Sequence, residues 1–248
     1  MNISVCLAAY NGMPFIHEQI DSILRQLNSG DELIISDGGS NDGTREYLTE
    51  KLGPICNVRL LFSSIRLDPA ANFEMAMSFA SKDIIILSDQ DDVWLDNKIE
   101  VIRSTFSNDH SLMFLTVNAS MYRWDGKQYH IDGNLFDCIG HRHGVISNLL
   151  RNTYVGCCMS FRSRVLSVAL PFPAGLPMHD VWIGIVANLL GRVSTIYQPY
   201  MLYRRHSNNY SQTGGKSNFS LIEKVMFRYN LLAGLLSVSQ KIFSARKS

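Results

Sequence analysis

The stretch Ile84-Ile85-Ile86-Leu87-Ser88-Asp89-Gln90-Asp91-Asp92-Val93-Trp94 decides the fold of this 248-residue chain. Four consecutive aliphatic residues are typical of a strand that is buried on both faces. Three carboxylates follow within four positions. Acids clustered at the end of a buried strand need a neutralising partner, and a divalent cation such as Mg²⁺ or Mn²⁺ with oxygen ligands commonly supplies it. A solvated acidic turn is the alternative interpretation.

Strands and helices alternate through the first hundred residues. The apolar pattern predicts strands at 4–9, 32–36, 58–62 and 84–89, with helices between them. Such an order predicts an α/β protein with a mostly parallel sheet, whose ligands bind at the carboxyl ends of the strands. Tyr10, Asn11, Asp37, Asp89 and Asp91 all lie at predicted carboxyl ends. Their convergence favours a nucleotide site at that edge.

The second half of the sequence is less regular. It predicts strands at 112–117 and 154–161, a polar loop at 125–143 and a helix at 181–190. We therefore expect a nucleotide-binding half at 1–104, an acceptor half at 105–215 that shares its core, and a basic amphipathic helical segment at 216–248.

Composition restricts the protein class. An apolar fraction of 46% with 18% charged residues fits a chain with a sizeable core. The N-terminal sequence enters a strand without the basic and apolar regions of a secretory signal, and the apolar runs are shorter than the roughly 20 residues that span a bilayer. Five cysteines without C-x-x-C spacing favour reduced thiols, so we expect a cytoplasmic protein.

Charge is distributed unevenly along the chain. Residues 199–248 contain eight Lys or Arg and one acid, a net charge of +7, which leaves −6 for residues 1–198 because the total is +1. A basic tail suits phosphate or an anionic membrane surface. It lacks the interleaved aromatic residues of a nucleic-acid platform, so we expect no nucleic-acid partner.

Five segments occur in an order that resembles a known family. They are Tyr10-Asn11-Gly12, Ser36-Asp37-Gly38-Gly39-Ser40, Ser88-Asp89-Gln90-Asp91-Asp92, His179-Asp180 and Tyr203-Arg204-Arg205-His206. Together they resemble family 2 glycosyltransferases with the GT-A fold, in particular bacterial enzymes that extend O-antigen or capsule repeat units. The resemblance covers residues 2–210 and implies a Rossmann-like, mostly parallel central sheet flanked by helices, with a C-terminal acceptor region and terminal amphipathic helices.

The resemblance implies a metal site that contains Asp91, Asp89 and His206. Mn²⁺ or Mg²⁺ held there offsets the charge that builds on a departing pyrophosphate. Asp91 is the expected direct ligand, whereas Asp89 bonds the ribose or orients a metal-bound water. Asp92 is expected to orient the metal ligands without contacting the metal itself.

The same resemblance implies that Asp180 is the general base, which removes a proton from the acceptor hydroxyl as this oxygen attacks the anomeric carbon. The simpler alternative is a helix N-cap. His179 either tunes Asp180, contacts the acceptor or fills space. Arg204 and Arg205 are expected to bind the pyrophosphate, since guanidinium groups match phosphate oxygens, with a surface position as the alternative for His206.

Donor recognition is expected from Tyr10 and Asn11, which border the base and ribose, and from Asp37, which contacts the uracil or ribose. The chain departs from the family pattern at Gly38, where most relatives carry a second acid. A UDP-sugar remains the favoured donor, and a dTDP-sugar is the alternative.

The expected activity is that of an inverting, metal-dependent hexosyltransferase. It moves glucose or galactose, with rhamnose as a further candidate, to a polyprenyl-pyrophosphate-linked saccharide at the inner face of the plasma membrane. A non-catalytic nucleotide-sugar or lipid-binding module is the alternative. A haloacid-dehalogenase-type phosphatase, with Asp89 as nucleophile, is disfavoured because the only acids after residue 150, Asp180 and Glu223, are not paired.

The C-terminal segment carries an apolar stripe at helical spacing. This face either packs on the protein, which is the favoured interpretation, or lies in the plane of a membrane. Its residues are Ile222, Val225, Met226, Tyr229, Leu232, Ala233 and Leu236.

Overall fold

The computed structural model describes residues 1–124, 127–176, 178–206 and 220–247. The strands are β1 (Ile3–Ala9), β2 (Glu32–Asp37), β3 (Val58–Phe62), β4 (Ile84–Asp89), β5 (Val93–Trp94), β6 (Leu112–Val117), β7 (Ser120–Trp124), β8 (Tyr129–Asn134), β9 (Met159–Arg162), β10 (Arg192–Ile196) and β11 (Met201–Arg205). The helices are α1 (Ile16–Leu24), α2 (Thr44–Leu52), α3 (Pro69–Met77), α4 (Lys98–Asn108), α5 (Leu135–Ile139), α6 (Val145–Leu150), α7 (Arg164–Ala169), α8 (His179–Leu190), α9 (Leu221–Ser237) and α10 (Ser239–Lys247).

The large sheet has seven strands in the order β10-β6-β9-β4-β1-β2-β3. Strand β9 runs antiparallel to β4 and β6, and the other described pairs in this sheet are parallel. Ala9 of β1 lies opposite Asp37 of β2, and Ala8 lies opposite Asp89 of β4. The acids at 37 and 89 therefore end at one edge of the sheet, as the sequence predicts.

The sheet is covered on both faces, which explains the continuous apolar runs. Ile84 and Ile86 of β4 pack with α1, α2 and α4, whereas Ile85 and Leu87 pack with α3, α7 and α8. All four side chains are buried. Alternation along a strand sends neighbouring residues to opposite faces, so a doubly covered strand must be apolar throughout.

A second sheet of four strands, in the order β5-β11-β7-β8, lies beside the edge that carries the acids. Strand β5 follows directly after the acidic turn and pairs with β11, with Val93 opposite Leu202. This pairing brings the segment after Tyr203 to the acidic turn, although more than one hundred residues separate them in sequence.

Two predictions for the second half were wrong. The predicted loop at 125–143 contains β8 and α5, because β8 pairs with β7 and the ring of Tyr129 stacks on that of Tyr122 at 4.1 Å. The predicted strand at 154–161 is confined to β9, since a short 3₁₀ helix occupies Gly156–Cys158. The predicted boundary at 215–216 lies outside the described residues.

Helix α9 packs through a different face from the one that the sequence favoured. Its N-terminus is a capping box between Ser220 and Glu223, and its buried residues are Leu231 and Gly234. The predicted apolar face is exposed instead, so the favoured packing interpretation was wrong. Its large members are half or more exposed: Ile222, Val225, Met226, Tyr229, Leu232 and Leu236. Among the described helices, none has the length and apolarity to cross a membrane.

Candidate functional site

The acids at the end of β4 and in the turn after it form a cluster in which Asp92 is buried and Asp89 and Asp91 are half-buried. Asp92 is 1% exposed, and its Oδ1 accepts a hydrogen bond of 3.1 Å from the backbone N–H of Arg204. Its Oδ2 is also buried and makes no hydrogen bond with the described residues. One carboxylate oxygen each from Asp89 and Asp92 and the Sγ of Cys157 lie within 4.8 Å of one another. A buried carboxylate oxygen without a partner is a costly arrangement that a cation relieves.

Burial and mutual repulsion make these carboxyls reluctant to ionise. Burial, with a further contribution from the charge of Asp91, raises the pKa of Asp89 to about 7. Burial and the charges of Asp91 and Asp89 hold the pKa of Asp92 well above its usual value. A bound cation would reverse this balance, because opposite charge favours the ionised carboxylates.

Lys98 supplies a positive charge beneath the cluster. It is 1% exposed, its Nζ lies 4.1 Å from the ring centroid of Trp94, and it donates to the carbonyl of Cys157 at 3.3 Å. Burial lowers the pKa of Lys98 to about 8, and the charge of Asp89 opposes that change. The sequence interpretation missed this residue, because a lysine in a polar segment after an acidic turn is ordinarily solvated.

Asp91 and His206, two of the three residues of the expected metal site, contact each other directly. The Nε2 of His206 lies 2.8 Å from Oδ2 of Asp91, and the imidazole stacks on Phe15 with ring centroids 4.6 Å apart. A cavity of about 310 Å³ opens beside them. Its lining residues are Phe15, Tyr129, Arg204, Arg205 and His206.

Arg204 holds the acidic turn in place. Its side chain is buried and its Nε donates to the carbonyl of Asp91 at 2.9 Å. The same guanidinium forms an ion pair with Glu18 at 2.5 Å and bonds the hydroxyl of Tyr129. Its central carbon lies 4.9 Å from the ring centroid of Phe15. Arg204 therefore binds protein groups on several sides, whereas the half-buried Arg205 lines the cavity.

Tyr10 and Asn11 occupy the turn after β1. The side chain of Gln90 bonds both backbone groups of Tyr10, with its Oε1 2.8 Å from N and its Nε2 3.0 Å from O. Asn11 has a positive φ of 50°, and its N–H donates to Oγ of Ser40 at 2.8 Å. Gln90, the residue between Asp89 and Asp91, thus ties the acidic turn to the turn after β1.

Asp37 shapes the loop that follows β2. Its Oδ1 accepts hydrogen bonds from the N–H groups of Gly39 and Ser40 at 3.2 and 3.1 Å, and Nε of Arg45 lies 3.1 Å away. Its buried Oδ2 makes no hydrogen bond within the described ranges. A side chain at Gly38 would place its Cβ 2.9 Å from Nδ2 of Asn72, so Asn72 occupies the space where a second acid would stand.

Asp180 lies in the first turn of α8, and Met178 is the N-cap residue. Asp180 is 4% exposed, and its Oδ1 accepts hydrogen bonds from the N–H of Val181 at 2.6 Å and from Nδ2 of Asn152 at 3.1 Å. Burial raises the pKa of Asp180 to about 7, although both donors act in the opposite direction. The charge of Asp180 also raises the pKa of Asp89, so the two carboxyls lie within electrostatic range.

His179 is a neutral buried group at the same helix terminus. Its ring packs against Phe73 with centroids 4.4 Å apart, and burial lowers its pKa to about 4. Its Nε2 makes no hydrogen bond in the part of the chain that the structure describes, and it faces Gly156, where a Cβ would approach it to 2.9 Å. A glycine at 156 therefore leaves room for the imidazole.

Asn152 is a site residue that the sequence interpretation missed. Its amide donates to Asp180, and its Oδ1 accepts from the N–H of Tyr154 at 3.0 Å, which fixes the orientation of the amide. No spacing rule connects positions 152 and 180, which meet only because α6 packs against α8. An Asn before a predicted strand reads as an ordinary loop residue.

We expect Asp180→Asn to raise the free energy of unfolding by about 1–3 kcal/mol at pH 8. The folded-state pKa of Asp180 lies above its usual value, so the folded protein binds this proton more tightly than the unfolded chain. The stability from that proton is present at about pH 4 and is lost as the pH rises to about 7. Urea unfolding of both proteins across this range measures the difference. The exposed Asp137→Asn is the control, and an equal pH dependence in the control would contradict the assignment.

The profile described as Glycosyl transferase family 2 matches residues 4–168. The UDP-Glc:alpha-D-GlcNAc-diphosphoundecaprenol beta-1,3-glucosyltransferase WfgD of Escherichia coli is 26% identical over 174 residues, which cover 69% of this chain and 64% of WfgD. The putative teichuronic acid biosynthesis glycosyltransferase TuaG of Bacillus subtilis is 29% identical over 74% of this chain and 71% of TuaG. This chain therefore spans less than two thirds of WfgD.

Solved structures share the fold. S. aureus TarS 1-349 in complex with UDP-GlcNAc has a TM-score of 0.72 at 17% identity, and the match covers 95% of this chain and 67% of TarS 1-349. The mannosyltransferase PcManGT from Pyrobaculum calidifontis, in complex with GDP-Man and Mn²⁺, has a TM-score of 0.62 at 16% identity, with 98% and 72% covered. The predicted α/β GT-A fold is confirmed, and the phosphatase alternative loses its support. The chain belongs to glycosyl transferase family 2.

Proposed function

We propose that this protein is an inverting, metal-dependent glycosyltransferase that moves a hexose from a nucleoside-diphosphate sugar to a lipid-linked saccharide. The observation that carries the proposal is the placement of Asp180. This carboxyl is buried at a helix terminus, burial raises its pKa to about 7, and it lies within electrostatic range of Asp89, the last residue of β4. A base with a pKa near the working pH, next to a cluster suited to a cation and a diphosphate, fits group transfer between a nucleotide donor and a hydroxyl.

The donor is expected at the carboxyl edge of the sheet. Tyr10 and Asn11 would border the base and ribose, and the free oxygen of Asp37 would accept a hydrogen bond from the base or ribose. TarS was solved with UDP and UDP-GlcNAc, which supports a UDP-sugar for this chain. A dTDP-sugar is the alternative, because position 38, next to Asp37, is a glycine and Asn72 fills the space where a second acid would stand there.

The acidic cluster suits Mn²⁺ or Mg²⁺. Asp91, His206 and Asp89 would hold the ion, supported by Asp92, whose buried Oδ2 makes no hydrogen bond with described residues. Carboxylates are hard ligands for both cations, and imidazole is compatible with Mn²⁺. The ion would supply Lewis-acid stabilisation of the charge on the leaving diphosphate. Arg205 would add positive charge there. Arg204 would add charge as well, while its guanidinium stays bonded to the carbonyl of Asp91 and to Glu18.

The chain's own chemistry is proton removal by Asp180. Its Oδ1 is occupied by Val181 and Asn152, so the other oxygen is the one that would accept the proton of the acceptor hydroxyl. The deprotonating hydroxyl attacks the anomeric carbon from the face opposite the diphosphate, and this single displacement inverts the configuration. Neutral His179 adds no competing charge beside the base.

The acceptor assignment rests on relatives. WfgD is named for transfer of glucose to a GlcNAc-diphosphoundecaprenol. We therefore favour glucose or galactose as the hexose, with rhamnose as a further candidate, and a polyprenyl-pyrophosphate-linked saccharide as the acceptor. An enzyme that joins a nucleotide sugar to such a lipid would act in the cytoplasm, peripheral to the inner face of the plasma membrane.

We expect Asp180→Asn to lower transfer by a factor of about 10² or more while donor binding persists, because a general base contributes about 10²–10⁴-fold. Transfer of radiolabelled glucose from UDP-glucose to GlcNAc-pyrophosphate-lipid in Mn²⁺ measures the first quantity, and calorimetry with UDP measures the second. Wild-type transfer in the variant would refute the base assignment. Nucleotide binding by the unaltered protein, without transfer or donor hydrolysis across a panel of UDP-, dTDP- and GDP-sugars, would favour the non-catalytic binding module.

We expect chelation to abolish transfer and added Mn²⁺ to restore it. Asp91→Ala should lower transfer by about 10²-fold or more at any Mn²⁺ concentration, because one oxygen ligand and the partner of His206 are lost together. Asp137→Ala removes an exposed carboxylate and is the matched control. Full transfer by Asp91→Ala in excess chelator would exclude a metal role for the cluster.

We expect Asn152→Ala to shift the pH dependence of kcat to higher pH. Asn152 lowers the pKa of Asp180 by donating to it, so its removal raises that pKa. A base must be deprotonated to act, so activity would then rise at a higher pH, with a larger loss at pH 6 than at pH 9. Asn188→Ala is the control, since Asn188 bonds Tyr154 and Gly184. An unshifted profile in Asn152→Ala would contradict the positioning role.

A further inference from the structure

Helix α9 is apolar on two opposite faces. One face carries Leu231, Gly234 and Val238, which are buried against the core. The other carries a stripe of seven apolar residues that recur at intervals of three and four positions, and we call it the outer face of α9. Its members are Ile222, Val225, Met226, Tyr229, Leu232, Ala233 and Leu236, all of them exposed. Exposed apolar patches of this extent mark interaction sites.

The apolar surface continues onto α6. Ile146 is 75% exposed and Leu150 is 66% exposed. The guanidinium of Arg228 on α9 donates to the carbonyl of Leu150, so the two helices touch at this point. The seventeen residues of α9 span about 26 Å. The exposed apolar residues of α6 widen the apolar surface beyond the outer face of α9.

Positive charge borders this surface. Lys224 and Arg228 lie on the flank of α9 that faces α6, and the exposed Arg151 follows Leu150. Glu223 is the one acid between residues 199 and 248. In the capping box, the backbone N–H and the hydroxyl of Ser220 both donate to its carboxylate. The outer face of α9 is therefore apolar and flanked by cations, and the carboxylate of Glu223 is bonded within the N-terminal capping box. Such a surface is complementary to a bilayer that contains anionic lipids.

The same surface leads to the proposed base. Leu150 lies two residues before Asn152, which donates to Asp180. Because α6 also packs against α8, whose first turn carries Asp180, a bilayer in contact with α6 and α9 would lie near the proposed base. An acceptor saccharide held in that bilayer by its lipid would reach Asp180 without leaving the membrane surface.

We propose that the outer face of α9, with Ile146 and Leu150, docks on an anionic lipid bilayer and presents Asp180 to the lipid-linked acceptor. The orientation part of this inference rests on the proposed function. The docking part rests on exposure and charge alone, so the two can fail separately.

Co-sedimentation of the full chain with vesicles tests the docking part. The wild type should bind phosphatidylcholine vesicles that contain phosphatidylglycerol more strongly than pure phosphatidylcholine vesicles, and added salt should weaken the difference. The double variant Ile222→Ser/Leu236→Ser should bind the anionic vesicles more weakly by roughly tenfold or more. Both side chains are more than three-quarters exposed, so the variant should keep the circular dichroism and melting temperature of the wild type.

The matched control is Ile131→Ser/Tyr197→Ser, which removes two apolar side chains of 66% and 65% exposure that belong to β8 and to the segment after β10. It should bind vesicles like the wild type. Equal binding by Ile222→Ser/Leu236→Ser and the wild type would overturn the proposal. The proposal would also be overturned if the wild type did not bind vesicles but formed a dimer, and the double variant were monomeric. The outer face of α9 would then be an interface with a second copy of the chain.

Transfer assays separate docking from catalysis. With a short-chain, water-soluble acceptor, Ile222→Ser/Leu236→Ser should match the wild type. With a polyprenyl acceptor embedded in anionic vesicles, its rate should fall in parallel with its vesicle binding. An undiminished rate on the embedded acceptor would refute the orientation part, and absence of transfer in every variant would count against the proposed function while vesicle binding still decides the docking part.

Discussion

The repulsion among the carboxyls of Asp89, Asp91 and Asp92 is the constraint on which the rest of the structure depends. Burial disfavours the charged forms of Asp89 and Asp92, and each ionised neighbour adds to the cost. The fold opposes this cost with Lys98 from below and with the backbone N–H of Arg204 from the side. Because Arg204 belongs to β11, the acidic turn also determines where the second sheet lies. Asp92 nonetheless retains a buried oxygen without a bond among the described residues, so the compensation from the protein is incomplete.

The parts of this arrangement that depend on local pattern could be predicted from the sequence. Four aliphatic residues before Asp89 identify a strand covered on both faces, and parallel strand order places Asp37 and Asp89 at one edge. The motif order placed Asp91 and His206 in one site, and the structure brings the two side chains to hydrogen-bonding distance, a direct contact that the motifs did not predict. The GT-A fold required only the alternation of strands and helices and the motif order.

The parts that depend on contacts between distant segments could not be predicted. Arg204 stands in a motif that resembles a phosphate-binding segment, yet Phe15 and Glu18 from α1 and its preceding turn enclose its guanidinium. Strand β8 lies in a polar, Gly-containing segment, and it forms because Tyr129 stacks on Tyr122 across the pair. Asn152 and Lys98 have no sequence signal, because their partners are 28 and 59 residues away.

Helix α9 shows why periodicity identifies an apolar face but not its orientation. Both faces of the helix carry apolar residues at helical spacing, and the richer stripe, which hydrophobicity alone would bury, is the exposed one. The decisive residue is Gly234, where an added Cβ would lie 2.8 Å from Pro173 and 3.1 Å from Trp182. The absence of a side chain there lets the helix backbone approach α8 closely, and this close approach selects the face that carries Leu231 and Val238 as the inner one. The richer apolar stripe is then directed outward, because a rigid helix that buries one face must expose the opposite one.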